Sequence, residues 1–296
     1  VNALRAAGAA ALLVAAPAHA DPVTLQQYLA VPAPAPAATI AYGPAPVQGI
    51  DIYLPAGAGP HPLVVLIHGG CWSARIPGRE QVRGVAAELA RRGMAVWSIG
   101  YRRADEAGGG YPAMFQDVAA AVDRARAEAG RFGFDLRRSV VTGHSAGGHL
   151  ALWAANRARL PADSPAWVKD PFIPHAVVSL AGMGDLKAAE RFADRSCGEG
   201  RLAQVTGAPS PARPDPLADT SPARLLPGPA RVTLVSGIYD AIVPPYAAWD
   251  YARAVRAAGQ APELVTIPDS AHFDMVTPGT PAFEEVARRL AAALAR

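Results

Sequence analysis

"VVTGHSAGGHLAL", residues 140–152, places one hydroxyl between glycines where an apolar run gives way to a helical pattern. Two valines lead toward Gly143-His144-Ser145-Ala146-Gly147, Gly148 follows, and apolar residues then recur at helical spacing. A strand that bends sharply into a helix leaves no room for side chains before and after the bend, and it pushes the middle residue outward. That residue is Ser145. The pattern G-x-S-x-G at such a junction is a nucleophile elbow, which presents the serine Oγ at the end of the strand. The spacing alone also fits an ordinary glycine turn, so the reading depends on partners elsewhere in the chain.

On both sides of this junction, strand and helix alternate. "IDIYLP" (50–55) has the period-2 alternation of an edge strand, and "HPLVVLIHGG" (61–70) is a continuous apolar run ending in glycines, as in a strand buried on both faces. Further strands are expected in "MAVWSIG" (94–100), "SVVTGHS" (139–145), "HAVVSLAG" (175–182), "ARVTLVSG" (230–237) and "PELVTIP" (262–268). Helical patterns cover 79–92, 113–129, the stretch from Ser145 to about Arg157, 247–258 and 282–295. This alternation predicts an α/β fold, a mostly parallel sheet with helices on both faces, over residues 50–296. One segment breaks the rhythm. Residues 182–230, rich in Pro, Ala, Asp and Arg, read as a short cap over the carboxyl edge of the sheet, where ligands bind in such folds.

Composition narrows the partners. With 51% hydrophobic residues the 296-residue chain can bury a large core, and a formal net charge of +3 without a basic, aromatic-interleaved stripe speaks against nucleic acid. No run has the eighteen or so apolar residues of a membrane span. No Cys/His cluster has zinc spacing and no acidic run has calcium-loop spacing, so no metal site is expected. Residues 1–20, "VNALRAAGAAALLVAAPAHA", carry one basic residue, an apolar run and Ala18-His19-Ala20, and read as a signal peptide cleaved before Asp21. An alanine-rich first helix is the plainer alternative. Residues 21–49 read as a Pro/Ala-rich extended lead-in. Export would place the protein in the periplasm or outside the cell, where Cys71 and Cys197 could pair, though nothing in the sequence says they are close.

A serine hydroxyl needs a base, a group to orient that base, and donors for the oxyanion. In parallel-sheet folds that carry this elbow the acid follows the serine and the histidine comes last. His272, in "IPDSAHFDMV" after the final strand, is the base by position, whereas His175 precedes a strand on the wrong edge. Asp240, in "IYDAIVPP" after the penultimate strand, is preferred as the acid over Asp185 in "LAGMGDL". The oxyanion donors are expected in His68-Gly69-Gly70-Cys71-Trp72, at the amides of Gly70 and Cys71, with the amide of Ala146 completing the set. Trp72 is expected as one aromatic wall of the substrate pocket.

Together "HGGCW", "YRRA", "GHSAGGHLAL", the Asp240 loop and "AHFDMV" resemble bacterial α/β-hydrolases of the esterase/lipase type. The chain is most similar to kynurenine formamidase-like and hormone-sensitive-lipase-like carboxylesterases, over roughly residues 40–296. The resemblance implies an α/β-hydrolase fold and cofactor-free hydrolysis of a small-molecule carboxylic ester through an acyl-enzyme. Lipase-type members tend to carry a third glycine where this chain has Cys71, a departure that leans toward the formamidase-like branch. Arylformamidase activity is therefore the rival chemistry. A non-catalytic binding protein on the same fold would usually lack one of the three residues.

Overall fold

The computed structural model describes residues 21–295. Eight strands form one sheet: β1 (Ala38–Ala41), β2 (Gly49–Tyr53), β3 (His61–Ile67), β4 (Ala95–Ile99), β5 (Phe134–His144), β6 (Ala176–Leu180), β7 (Arg231–Gly237) and β8 (Glu263–Ile267). Their spatial order is β1-β2-β4-β3-β5-β6-β7-β8. β1 and β2 pair antiparallel, as do β2 and β4, and every other pairing is parallel. The apolar runs of β3, β4 and β6 need cover on both faces, and helices supply it. On one face lie α2 (Arg83–Arg91) and α9 (Pro281–Leu294), joined by the Arg92–Glu284 ion pair at 2.6 Å. On the other lie α3 (Ala113–Phe132), α4 (Ala146–Asn156) and α8 (Tyr246–Ala257). Phe115 packs on Trp153 to join α3 to α4, and Asn156 Nδ2 donates to Tyr251 Oη at 2.9 Å to join α4 to α8.

The lead-in is more than an extended tether. It carries a capped helical turn, α1 (Leu25–Leu29), whose Tyr28 is buried, and it supplies β1. β2 is consequently the second strand rather than the edge, and all five of its residues are buried. Its polar alternate position, Asp51, faces Arg79 and Arg83 and Thr39 Oγ1 instead of water. A charge satisfied by arginines gives the same period-2 pattern as a charge facing solvent.

The 182–230 insertion contains α5 (Leu186–Ala189), α6 (Ala193–Cys197), α7 (Arg201–Thr206) and a 3-10 turn at Pro222–Leu225. Leu186, Phe192, Val205 and Leu225 are all buried, so the scattered apolar residues of this insertion anchor it to the body. The expected signal peptide lies outside the described residues. Within them no helix is long and apolar enough to cross a membrane.

Candidate active site

Ser145 stands between the end of β5 and the start of α4 with φ 56° and ψ −120°. A non-glycine residue at positive φ is strained, and the surrounding contacts must hold it there. Its amide donates to Leu180 O at 2.8 Å, and its carbonyl accepts from His149 at 3.1 Å. The flanking glycines are required by space. A Cβ on Gly147 would collide with the carbonyl oxygens of Ile67 and His68, and one on Gly143 would collide with Gly147 O. The bend brings α4 against the end of β3, and Ser145 is left lining a cavity.

Asp240 follows β7 and His272 follows β8, both at the carboxyl edge of the sheet. His272 Nδ1 donates to Asp240 Oδ2 at 2.7 Å, and both residues are buried. Asp240 Oδ1 accepts the amides of Ile242 at 2.9 Å and Val243 at 2.8 Å, which fixes the carboxylate. Asp185 is used differently: its carboxylate caps α5 by accepting the amides of Lys187 and Ala188. The structure therefore brings His272 together with Asp240 and not with Asp185.

Three further residues surround His272, of which Asp274 lies too close along the chain to serve as the acid. His144 Nε2 lies 2.9 Å from the His272 carbonyl oxygen, and the two rings are 4.2 Å apart. Burial, then the neighbouring His272, holds the His144 pKa well below its ordinary value, so the ring stays neutral and Nε2–H donates. Phe273 meets His272 edge-on at 5.0 Å. Asp274 accepts the Ala271 amide at 2.8 Å and the Val23 amide at 3.3 Å, tying the histidine loop to the lead-in. His144, the variable position of G-x-S-x-G, is the one whose place in the elbow could have marked it.

After β3 the chain turns through Gly70 (φ 100°), Cys71 (φ 52°) and Trp72 (φ 51°). Among the described residues the amides of Gly70, Cys71 and Ala146 have no acceptor in the protein. Gly70 and Cys71 line the same cavity as Ser145 and His272. The loop is held from behind, where His68 stacks on Tyr101 at 4.3 Å and Tyr101 Oη donates to His68 O at 3.0 Å. Trp72 is not the pocket wall the sequence suggested. Its left-handed backbone turns the indole inward, where it is fully buried and packed edge-on to His149. The apolar lining comes instead from Leu25 of α1, Ile76, Ile242 and Phe273.

Cys71 and Cys197 are joined in a disulfide with Cα atoms 5.2 Å apart, which links this loop to the C-terminal end of α6. The neighbouring Ser196 lines the cavity and donates to Ile242 O at 2.7 Å. The cavity measures about 160 Å³. A larger cleft of about 510 Å³ lies at the opposite, amino-terminal ends of β6 and β7, between Arg231 and Arg289, and none of the residues identified above lines it. Position decides here over size, because ligands of parallel sheets bind at the carboxyl edge.

Fold and site together define a chain of the α/β-hydrolase fold in which Ser145 and His272 line one cavity at the carboxyl edge of the sheet and Asp240 holds His272. It belongs to the BD-FAE family, whose model matches residues 50–253. It is similar to Esterase LipC of Mycobacterium tuberculosis, with 34% identity over 128 residues that make up 41% of this chain and 30% of that protein. It is also similar to kynurenine formamidase of Danio rerio, with 27% identity over 142 residues, 48% of this chain and 46% of that protein. The chain thus spans less than half the length of either relative. Among solved structures, a thermophilic esterase of Thermogutta terrifontis with bound propionate superposes with a TM-score of 0.69 at 23% identity, covering 87% of this chain and 93% of that one.

Proposed function

We propose that this protein is a serine esterase that cleaves short-chain or aromatic carboxylic esters through an acyl-enzyme. The observation that carries the reading is one cavity walled by Ser145, His272 and the unengaged amides of Gly70 and Cys71, with His272 held by Asp240. In this scheme Ser145 Oγ attacks the ester carbonyl while His272 takes its proton. Asp240 keeps His272 Nδ1 protonated, so Nε2 is the accepting nitrogen. The carbonyl oxygen gains charge where the three amides can receive it. The alcohol leaves with the proton from His272, and water, activated by the same ring, releases the acid.

The size of the cavity supports short acyl groups. Each accommodated methylene contributes about 0.8 kcal/mol until the pocket ends. Activity on p-nitrophenyl esters should rise from acetate to about butyrate and fall at least tenfold by decanoate. Ser145→Ala should lose about a million-fold in kcat, together with fluorophosphonate labelling, while remaining folded. An alanine variant that still labelled and turned over would overturn the scheme, and a monotonic rise to long chains would overturn the short pocket.

The similarity to a kynurenine formamidase keeps arylformamide hydrolysis as the second reading, since the same constellation would serve a formyl amide. A higher kcat/KM on N-formyl-kynurenine than on any ester would decide for it. Export to an oxidising compartment is part of the proposal, supported by the leader-like run of residues 1–20 and by the Cys71–Cys197 bridge. N-terminal sequencing of protein from its native host should find a start at or near Asp21, and an intact leader on soluble cytoplasmic protein would refute export.

A further inference from the structure

The turn after β3 holds two consecutive non-glycine residues in the left-handed region, Cys71 at φ 52° and Trp72 at φ 51°. Each carries an energetic penalty that its surroundings must offset. For Trp72 the offset is visible: the indole is fully buried against His149. Cys71 has no such packing. It is only half-buried, because it faces the cavity. What holds it is covalent, the bridge to Cys197.

We propose that the Cys71–Cys197 disulfide is a positioning device for oxyanion stabilisation: it holds Cys71 in the left-handed conformation that turns its amide N–H into the cavity beside Ser145. The proposal rests on the esterase reading above. The bridge replaces conformational freedom that a glycine would have at the same position, since glycine reaches positive φ without a Cβ clash. It is separable from docking of the cap. The insertion is also fastened by Arg201 to Asp105 at 3.2 Å, and Asp105 in turn accepts from Ser73 Oγ and the Ala74 amide, each at 2.7 Å. Ser196 Oγ adds its bond to Ile242 O on the Asp240 loop. Breaking the disulfide therefore leaves cap and body joined and frees chiefly the Cys71 backbone. Cys197, which touches no reacting atom, acts through Cys71 alone.

Two double variants separate this role from plain cross-linking. Both Cys71→Ala/Cys197→Ala and Cys71→Gly/Cys197→Ala lack the bridge, and they differ only in the ease with which residue 71 adopts positive φ. Hydrolysis of p-nitrophenyl butyrate is measured well below the melting temperature of each. The alanine pair should lose at least tenfold in kcat with KM changed less than threefold, and the glycine pair should regain at least fivefold of that loss. Inhibition by phenylboronic acid, whose serine adduct places an oxygen at the same donors, should weaken and recover in parallel. Equal losses in the two pairs would overturn the proposal by making the bridge a general staple, and so would full activity in both. Should the alanine pair fail to fold, wild-type protein is reduced under native conditions with a phosphine. Full activity after two thiols have been titrated would overturn the proposal, and a kcat loss absent from the phosphine-treated glycine pair would support it. A wild-type protein that neither hydrolyses esters nor labels at Ser145 would instead sink the esterase reading, and is distinguishable from all of these results.

Discussion

Asp240 and Asp185 each follow a strand at the carboxyl edge, and each accepts two backbone amides. The difference lies in the second carboxylate oxygen. Asp240 Oδ2 receives His272 Nδ1–H, whereas among the described residues the Asp185 carboxylate is bound within the first turn of α5. Asp240→Asn should lower kcat about ten-thousand-fold, because an amide nitrogen facing Nδ1 favours the wrong imidazole tautomer. Asp185→Asn keeps a capping oxygen and should change kcat less than threefold, with a stability change under about 1 kcal/mol. Steady-state kinetics of the two variants check the ranking, and the reverse order would move the acid to the end of β6. These residues were legible in the sequence because the sheet constrains them: a parallel strand has one carboxyl end, and side chains in the loops beyond it converge. Trp72 was not. Two glycines, Gly69 and Gly70, stand just before it in the sequence, but the direction of its side chain depends on a backbone sign that composition does not encode.

At the scale of elements, the elbow is a packing problem before it is a chemical one. α4 approaches β3 closely enough that Gly147 has two carbonyl oxygens where a Cβ would go. Gly147→Ala should destabilise the protein by about 1–3 kcal/mol through overpacking and displace Ser145. Thermal melts together with the fluorophosphonate labelling rate report the two effects, and an unchanged melt would mean that α4 can slide. α4 is anchored at its other side by His149, whose Nε2 meets Thr220 O at 2.9 Å, and by Trp153 Nε1, which donates to Asp219 O at 2.8 Å. These contacts join the elbow helix to the insertion. Strand and helix periods revealed the layers, yet the contacts between an element and a loop some seventy residues away have no periodicity to show. The same holds for Leu25, which reaches the cavity from the lead-in, and for the cysteine bridge across a sequence separation of 126.

At the scale of the whole molecule, three buried histidines make folding sensitive to acid. Burial lowers His68 to about 4 and His149 to about 4, and His144 lies well below its ordinary value for the same reason, helped by His272. Well above pH 6.5 neither the folded nor the unfolded chain protonates them, and they contribute nothing. As pH falls toward 4 the unfolded chain takes up protons that the folded one refuses. Stability is lost across that window, at up to about 1.4 kcal/mol per pH unit for each histidine. Carboxylates held low, such as Glu88, whose pKa is lowered beside Arg91 from 4.5 to about 2, begin to act only near the lower end of that window and act mainly below it. Melting temperatures should therefore be flat from pH 8 to 7 and drop steeply from pH 6 to 4.5. A flat profile down to pH 4.5 would contradict the buried, neutral state of these rings.

The four residues of β1 have a further consequence for the molecule as a body among its copies. Without them β2 would end the sheet, with a row of backbone donors and acceptors facing solvent, a template on which a second molecule could lay a strand. β1 satisfies that row on its inner side and is too short to offer much on its outer side. Pro34 and Pro36 before it and Pro44 and Pro46 after it cannot extend the ladder. A stretch whose composition suggests a passive tether acts as a guard against edge-to-edge aggregation, and its prolines are the part that keeps the guard from becoming a template itself.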